Sequence, residues 1–307
     1  MKVDNFALTM FQACPIKYKL RIQDHWTSRR KSSALGFGGA LHEGLAAWYR
    51  TGEQTKALSA IGDSWPENLP IDDWRTKEKC LKTMMEYMKT YPVETFQVIG
   101  RDTEDPMVEC TFTLSTGLYL ACESPGCNQP LYSLTNPLCS VCGEPREEIE
   151  YGGIFDTLVE FNNNIYVLEH KTTSRLGSYY FNQFKPNNQV TGYIWGGGLM
   201  SGQRVGGAII NAIGLYKSSA TKFERQITSR SHEEISEWLI NIHSTCQQIR
   251  DCERRNYWPM YTGSCTMYGQ CEYHSVHVLG TENERSKRLS TDFIQEAWEY
   301  ENREGVK

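Results

Sequence analysis

Asp156 is followed thirteen residues later by Glu169-His170-Lys171, across a run of three asparagines, Asn162 to Asn164. Residues 154–161 and 165–171 alternate and are rich in β-branched and aromatic types, which predicts two strands joined by a turn. Period two puts Ile165, Val167, Glu169 and Lys171 on one face and Tyr166, Leu168 and His170 on the other. A two-residue turn at Asn163-Asn164 would set Asp156 opposite Lys171 and diagonal to Glu169. A three-residue turn would throw Asp156 onto the other face unless a bulge corrected the register. The expectation is therefore an even-length loop or a bulge. Two carboxylates and a lysine on one hairpin make a compact site for a divalent cation and a scissile phosphate. Carboxylates, a backbone carbonyl and water are hard oxygen ligands that suit magnesium or manganese (Mg2+ or Mn2+). The lysine could orient a nucleophile or hold developing charge. A surface hairpin with an ordinary Glu–Lys pair would look the same, so this stretch alone is only suggestive.

Pro186-Asn-Asn-Gln189-Val-Thr-Gly-Tyr193 reads as a helix start with an asparagine cap, and Gln189 and Tyr193, four apart, share a helical face. Upstream, Ala34–Arg50 carries the apolar stripe Leu41, Leu45 and Trp48, with His42 at its edge. Each has a bland reading: a core histidine, a cap neighbour, a packed tyrosine. Taken together, His42, Gly153-Ile-Phe-Asp156, Glu169-His-Lys171 and Gln189-Val-Thr-Gly-Tyr193 resemble the PD-(D/E)XK nucleases, in particular the RecB-like branch that includes AddB-type domains, CRISPR-associated exonucleases and many phage exonucleases. The resemblance covers nearly the whole chain. It implies an α/β fold with a restriction-endonuclease-like mixed central sheet flanked by helices, in one domain over residues 1–307. It implies metal binding by His42, Asp156 and Glu169, catalysis by Lys171, and support of the site or DNA contact by Gln189 and Tyr193. Glu109, in the strand-like Met107–Leu114, could assist. Gly196-Gly197-Gly198 departs from a good helix, because glycine costs roughly 1 kcal/mol per interior position. Either the helix stops early or another chain segment approaches it closely.

Eleven cysteines follow no leader-like segment, and no run reaches transmembrane length, so cytoplasmic thiols and metal sites are expected before disulfides. Val205–Tyr216 is apolar but short, a buried strand. Cys122-x4-Cys127-x11-Cys139-x2-Cys142, with Pro125, Gly126, Pro130 and Pro137 between, matches a four-thiolate zinc site in a zinc-ribbon-like insert over residues 122–146. A second set is split between the ends: Cys14-Pro15, then Cys265, Cys271 and His277 within a 252–280 segment that would close onto Cys14. RecB-like relatives with an iron–sulfur cluster place one Cys-Pro early and three cysteines late. His277 stands where the last cysteine is expected, and Cys265 is farther ahead of Cys271 than is common. A four-iron, four-sulfur cluster with one histidine and a three-cysteine, one-histidine zinc site are both sound chemistry. Cys246 and Cys252 fall on the stripe Ile235, Trp238, Leu239, Ile242, Ile249 of a helix near residues 233–256, and Cys80 and Cys110 read as core.

A net charge of −5 argues against non-specific coating of nucleic acid. A nuclease of this charge needs a local basic track, for which Lys17, Lys19, Arg21, Arg29 and Arg30 are candidates. Trp26, Tyr179, Tyr180 and Phe181 could stack on single-stranded bases or simply pack. The resemblance thus implies a metal-dependent DNA exonuclease of phage recombination, repair or replication, acting on linear or single-stranded DNA. The chain has no Gly-x-x-x-x-Gly-Lys-Ser/Thr phosphate loop, so unwinding would fall to a helicase, recombinase or annealing partner. Rival readings are a CRISPR-associated DNA-trimming nuclease and a non-catalytic DNA-binding or assembly protein on the same core. Thr281–Lys307 is highly charged and reads as a loosely held helix.

Overall fold

The computed structural model describes residues 1–29, 32–67, 74–127, 133–267 and 269–301; Arg30, one of the candidate DNA contacts, and Pro130 of the cysteine loop lie outside them. In chain order the strands are β1 (Lys2–Asp4), β2 (Trp26–Ser28), β3 (Gln97–Val98), β4 (Val108–Tyr119), β5 (Glu148–Phe161), β6 (Asn164–Thr173), β7 (Val205–Gly214), β8 (Lys222–Thr228) and β9 (Phe293–Gln295). The α-helices are α1 (Asn5–Ala13), α2 (Pro15–Tyr18), α3 (Ser33–Thr51), α4 (Gln54–Ser64), α5 (Lys77–Thr90), α6 (Asn188–Ser201), α7 (His232–Arg255), α8 (His274–His277) and α9 (Glu282–Asp292). The fold is mixed α/β, with a central mixed sheet flanked by helices. The chain divides into two compact units, each built of separate segments. The long strands β4 and β5 contribute to both, so no linker-like composition marks the division.

One unit comprises Lys31–Phe112, Gly153–Ile235 and Glu301–Lys307. Its sheet runs β5-β6-β7-β8, antiparallel, parallel, antiparallel, with β3 antiparallel to β5. A parallel pair needs a crossover, and α6 supplies it between β6 and β7. Gly153 through Val159 of β5 are all buried, as are Gly207 through Gly214 of β7. Strands covered on both faces read as continuous apolar runs rather than as alternation. Phe37, Leu41 and Leu45 of α3, Ile61 of α4, Met84 and Tyr87 of α5, and Val159, Leu168 and Ile213 of the sheet form one core. Full burial of each such side chain stabilises by about 1.5–3 kcal/mol. Gly44 makes the α3–α4 contact close, since a Cβ there would lie 2.7 Å from Ile61. Helix α3 ends at Gly52, whose φ of 70° and N–H to Trp48 carbonyl make a left-handed C-cap.

The hairpin turn is two residues long, as expected, but it is Asn162-Asn163, not Asn163-Asn164. Both have positive φ (50° and 58°), as a type I′ turn requires, and Phe161 pairs with Asn164. Moving the turn back one residue moves the pairing by two. The register Thr157↔Leu168, carried one step on, sets Asp156 across from Glu169 rather than from Lys171. Helix α6 continues through the three glycines to Ser201. Close approach is the reason: a Cβ on Gly196 would meet the Phe112 ring at 2.6 Å, and one on Gly197 would meet Leu158 at 3.1 Å.

The other unit comprises Met1–Arg30, Thr113–Gly152 and Ser236–Tyr300. Strand β1 runs parallel to the start of β5, from Lys2↔Glu150 to Asp4↔Gly152. Trp238, Ile242, Cys246 and Ile249 form the buried stripe of α7, while Cys252 is only half-buried. The charged C-terminal stretch is better anchored than its composition suggests. Helix α9 starts with a Thr281–Glu284 capping box, and β9 pairs with β2 through Ile294↔Thr27. Phe293 packs there with Leu20, Tyr273 and Val276, with Trp26 packed against the cluster.

Candidate metal and catalytic site

His42, Glu109 and Asp156 each present one ligand atom, and these atoms lie within 4.8 Å of one another. Burial of Leu41 and Leu45 against the sheet fixes the rotation of α3, and that rotation delivers His42. Its Nδ1 lies 3.2 Å from Asp156 Oδ1. Asp156 Oδ2 accepts the backbone N–H of His170 at 2.6 Å, which fixes the carboxylate on the hairpin. Glu109 joins from β4 with φ of 55°. A non-glycine residue held in the left-handed region costs on the order of 1–3 kcal/mol, and such strain gathers at functional sites. Sequence reading gave Glu109 only an assisting part; strand pattern carries no sign of the backbone twist that turns it inward.

Glu169 is almost fully buried. Its Oε1 takes the Lys171 ammonium at 2.7 Å, and its Oε2 has no hydrogen-bond partner. Burial, and then the neighbouring Asp156 charge, push the Glu169 pKa above the usual carboxylate range, and Lys171 offsets this only in part. A buried carboxylate oxygen without a donor is costly, and a cation beside it would remove that cost. Glu169 is not among the ligand atoms that lie within 4.8 Å of one another, so the set gathered is one imidazole and two carboxylates, from His42, Glu109 and Asp156, which suits magnesium or manganese. Lys171 Nζ also donates to Gln189 Oε1 at 2.8 Å, and Gln189 Nε2 donates to Tyr193 OH at 3.0 Å. The spacing of four on α6 thus becomes a hydrogen-bonded relay to the lysine. The helix start is capped by Asn187, whose Oδ1 accepts the Val190 N–H at 3.0 Å. A cavity of about 770 Å³ opens beside these groups, lined by Gly38, Gly39, His42, Arg50, Glu109 and Lys171 among others.

Behind the site stands a wall that sequence reading missed. His170 is buried, and burial holds its ring neutral by pushing its pKa down to about 3. Asn211, Tyr87, Tyr49, Glu94 and Arg225 are hydrogen-bonded in series behind it. These residues come from five separate elements or loops, so no local spacing announces them.

In the other unit, Cys122, Cys127, Cys139 and Cys142 converge, their ligand atoms within 4.8 Å of one another. Sγ–Sγ distances are 3.6 Å for Cys122–Cys142 and 3.5 Å for Cys127–Cys139. A tetrahedron with zinc–sulfur bonds of about 2.3 Å has edges of about 3.8 Å, so the four thiols fit one zinc ion. Backbone N–H groups of Ser124 and Val141 point at Cys122 and Cys139 sulfurs, each at 3.4 Å. Burial opposes ionisation of Cys139, but the N–H groups of Cys142 and Val141 and the adjacent thiols outweigh it and bring its pKa down to about 6. Buried Arg146 anchors the root of the loop through the carbonyls of Leu120, Ser133, Asn136 and Tyr119.

The second cysteine set is not gathered in this way. No three of Cys14, Cys265, Cys271 and His277 bring ligand atoms within 4.8 Å of one another. Cys14 is buried at the α1–α2 junction, where its sulfur accepts the Tyr261 N–H at 3.3 Å. Nearby, Ile16 N–H donates to the Pro259 carbonyl and Ser264 Oγ donates to the Ala13 carbonyl. The proposed basic track is also altered. Arg21 is buried and donates to the Glu296 carbonyl, Lys17 pairs with Glu272, and Lys19 pairs with Asp24. Arg29 is exposed, as is Tyr179, while Trp26, Tyr180 and Phe181 are half-buried.

No helix among the described residues is long and apolar enough to cross a membrane. No curated protein matches the chain. Among solved structures, a candidate exonuclease from Eubacterium rectale superposes with a TM-score of 0.52 at 9% identity, over 91% of this chain and 88% of that one. At that identity the likeness speaks for the fold. The family model of the PD-(D/E)XK nuclease superfamily matches residues 6–276. With that match over most of its length, on a mixed sheet carrying Asp156 and Glu169-His-Lys171 on adjacent strands, the chain belongs to the PD-(D/E)XK nuclease superfamily.

Proposed function

We propose that this nuclease is a divalent-cation-dependent deoxyribonuclease that hydrolyses phosphodiester bonds from DNA ends. The observation that carries this is the convergence of His42, Glu109 and Asp156 beside a buried Glu169 oxygen with no donor. Those four residues would hold magnesium or manganese, which when bound supplies Lewis-acid polarisation of the phosphate and a more acidic water. Lys171 has three ammonium donors; with Glu169 and Gln189 taking two, the third serves the attacking water or a phosphate oxygen. Tyr193 and Gln189 keep the lysine head in place. The preference for ends draws on the likeness to the Eubacterium rectale protein. The setting we favour is phage DNA recombination, repair or replication, beside a separate unwinding or annealing partner. The Cys122–Cys142 loop takes zinc as a structural ion.

The test is digestion of labelled linear and closed-circular DNA with Mn2+. Wild type should degrade the linear form and spare the circle, and Asp156→Ala and Lys171→Ala should each slow turnover about 10²–10³-fold. Wild type that binds linear DNA yet leaves it intact would overturn the nuclease reading, and equal attack on circles would overturn the end requirement.

A further inference from the structure

Glu109 joins His42 and Asp156 from a twisted strand, and the groups just ahead of it show how the twist is held. Four successive main-chain groups there are hydrogen-bonded. Met107 N–H donates to the Ile99 carbonyl at 2.9 Å, the Met107 carbonyl accepts from Leu158 N–H at 2.9 Å, and Val108 N–H donates to the Pro106 carbonyl at 2.7 Å. The fourth group, the Val108 carbonyl, accepts from Arg50 Nη2 at 3.1 Å. Three of these bonds run between main-chain atoms, and the fourth depends on a side chain. The fourth is also the one that bears on φ of Glu109. That angle is the rotation of Glu109 against the peptide plane that holds the Val108 carbonyl, so a group gripping this oxygen fixes one side of the rotation. The angle is 55°, a region that a non-glycine residue keeps only when its surroundings hold it there. An extended backbone at this point would aim the carboxylate in another direction.

Arg50 lies in the last turn of α3, just before the Gly52 cap, and His42 lies about two turns earlier on the same helix. Both line the cavity beside the site, as does Glu109. By charge alone a guanidinium is out of place in the wall of a cation site, because like charges repel. Its bond to the strand gives it a use there, and a charged donor makes a stronger bond to a carbonyl than a neutral one. We propose that Arg50 is a positioning residue for the cation site: by gripping the Val108 carbonyl it keeps Glu109 in the left-handed conformation and its carboxylate beside His42 and Asp156. One helix thus supplies the imidazole and holds the strand that brings a second ligand. The proposal rests on the cation-site reading above, but its first measurement needs neither a cation nor DNA.

The backbone carbon shifts and the amide-to-Hα coupling of Glu109 in cation-free protein report its φ. Wild type is expected to show the left-handed conformer, and Arg50→Met, which keeps the side-chain stem without the donor, a mixture with an extended one. An unchanged left-handed signature in the variant overturns the proposal. Mn2+ binding, followed by the free-ion paramagnetic resonance signal, should weaken about 10-fold in Arg50→Met. The sign is decisive, since loss of the positive charge alone would tighten binding; tighter or unchanged affinity overturns the proposal. Unchanged affinity with a raised KM for DNA would make Arg50 a phosphate contact instead. In a Glu109→Gly background there is no carboxylate to position, so adding Arg50→Met should weaken Mn2+ binding no further; a persistent 10-fold loss overturns the link to Glu109. Should Arg50→Met not fold, Arg50→Ala, with the best helix former at the same place, is read in the same way. A wild type that binds no Mn2+ overturns the cation-site reading and this proposal with it, whereas wild type and Arg50→Met binding Mn2+ equally well overturn this proposal alone.

Discussion

At the residue scale, the site trades stability for a preformed charge cluster. Glu109 sits at φ of 55° in a strand. Glu109→Gly should remove that strain and raise the stability of the cation-free protein by about 1 kcal/mol, measured by denaturant midpoint, while Mn2+ affinity falls. Loss of stability in this variant would show that the twist is not strained. Glu169 gives a pH dependence with a definite sign. Its folded pKa is raised above the ordinary value of a free glutamate by burial and then by Asp156. Between those two values the folded, cation-free protein keeps a proton that the unfolded chain has released. The stability of neutral Glu169 is therefore present at low pH and lost as pH rises through its folded pKa. In chelator, Glu169→Gln should melt increasingly above wild type as pH rises past the ordinary carboxylate range, and Mn2+ should close the gap by stabilising wild type alone. His42, Asp156, Glu169, Lys171, Gln189 and Tyr193 were all legible in the sequence, because each sits at a fixed offset on a recognisable element. Asn211 and Arg225 were not, because their roles are set by partners far away in sequence.

At the scale of elements, the asparagine hairpin and the glycine-bearing helix show where local patterns stop. The sequence specified a tight turn among Asn162, Asn163 and Asn164 but not which two would take positive φ, and one residue of difference re-paired Asp156 with Glu169. The choice follows the strands' burial: Phe161↔Asn164 pairing continues into Leu158↔Val167, both fully buried. In α6, adjacent glycines answer differently to the same change. Gly196→Ala would press a methyl into Phe112, itself wedged between Phe155 and Tyr193. It should destabilise by about 1–3 kcal/mol despite the better helix propensity. At Gly198 a Cβ meets only the Gln203 carbonyl at 3.5 Å, so Gly198→Ala should stabilise by roughly 0.5–1 kcal/mol. Thermal melts of the two variants moving in the same direction would refute this account of why α6 tolerates glycine.

At the scale of the whole molecule, the two units rely on different sources of order. The unit with the nuclease site has a continuous apolar core, whereas the cysteine loop of the other has the polar clamp of Arg146 and four thiols. Metal analysis should find about one zinc per chain, and a strong chelator should expose amides near Cys122–Cys142 to hydrogen exchange while the core around Phe37 and Leu168 stays protected. Protection unchanged by zinc removal would show the loop to be held by Arg146 alone. The amino-acid sequence by itself determined the kinds of element, the nuclease pattern and the four-cysteine loop, since strand alternation, helix spacing and ligand spacing are local properties of the chain. Only the tertiary structure decided the hairpin register, the inward turn of Glu109, the wall behind His170, the ion pairs that occupy Lys17 and Lys19, and the separation of Cys14 from a ligand set. Each of these depends on which distant surfaces are buried together, and burial free energy is a property of the packed chain that no short window contains.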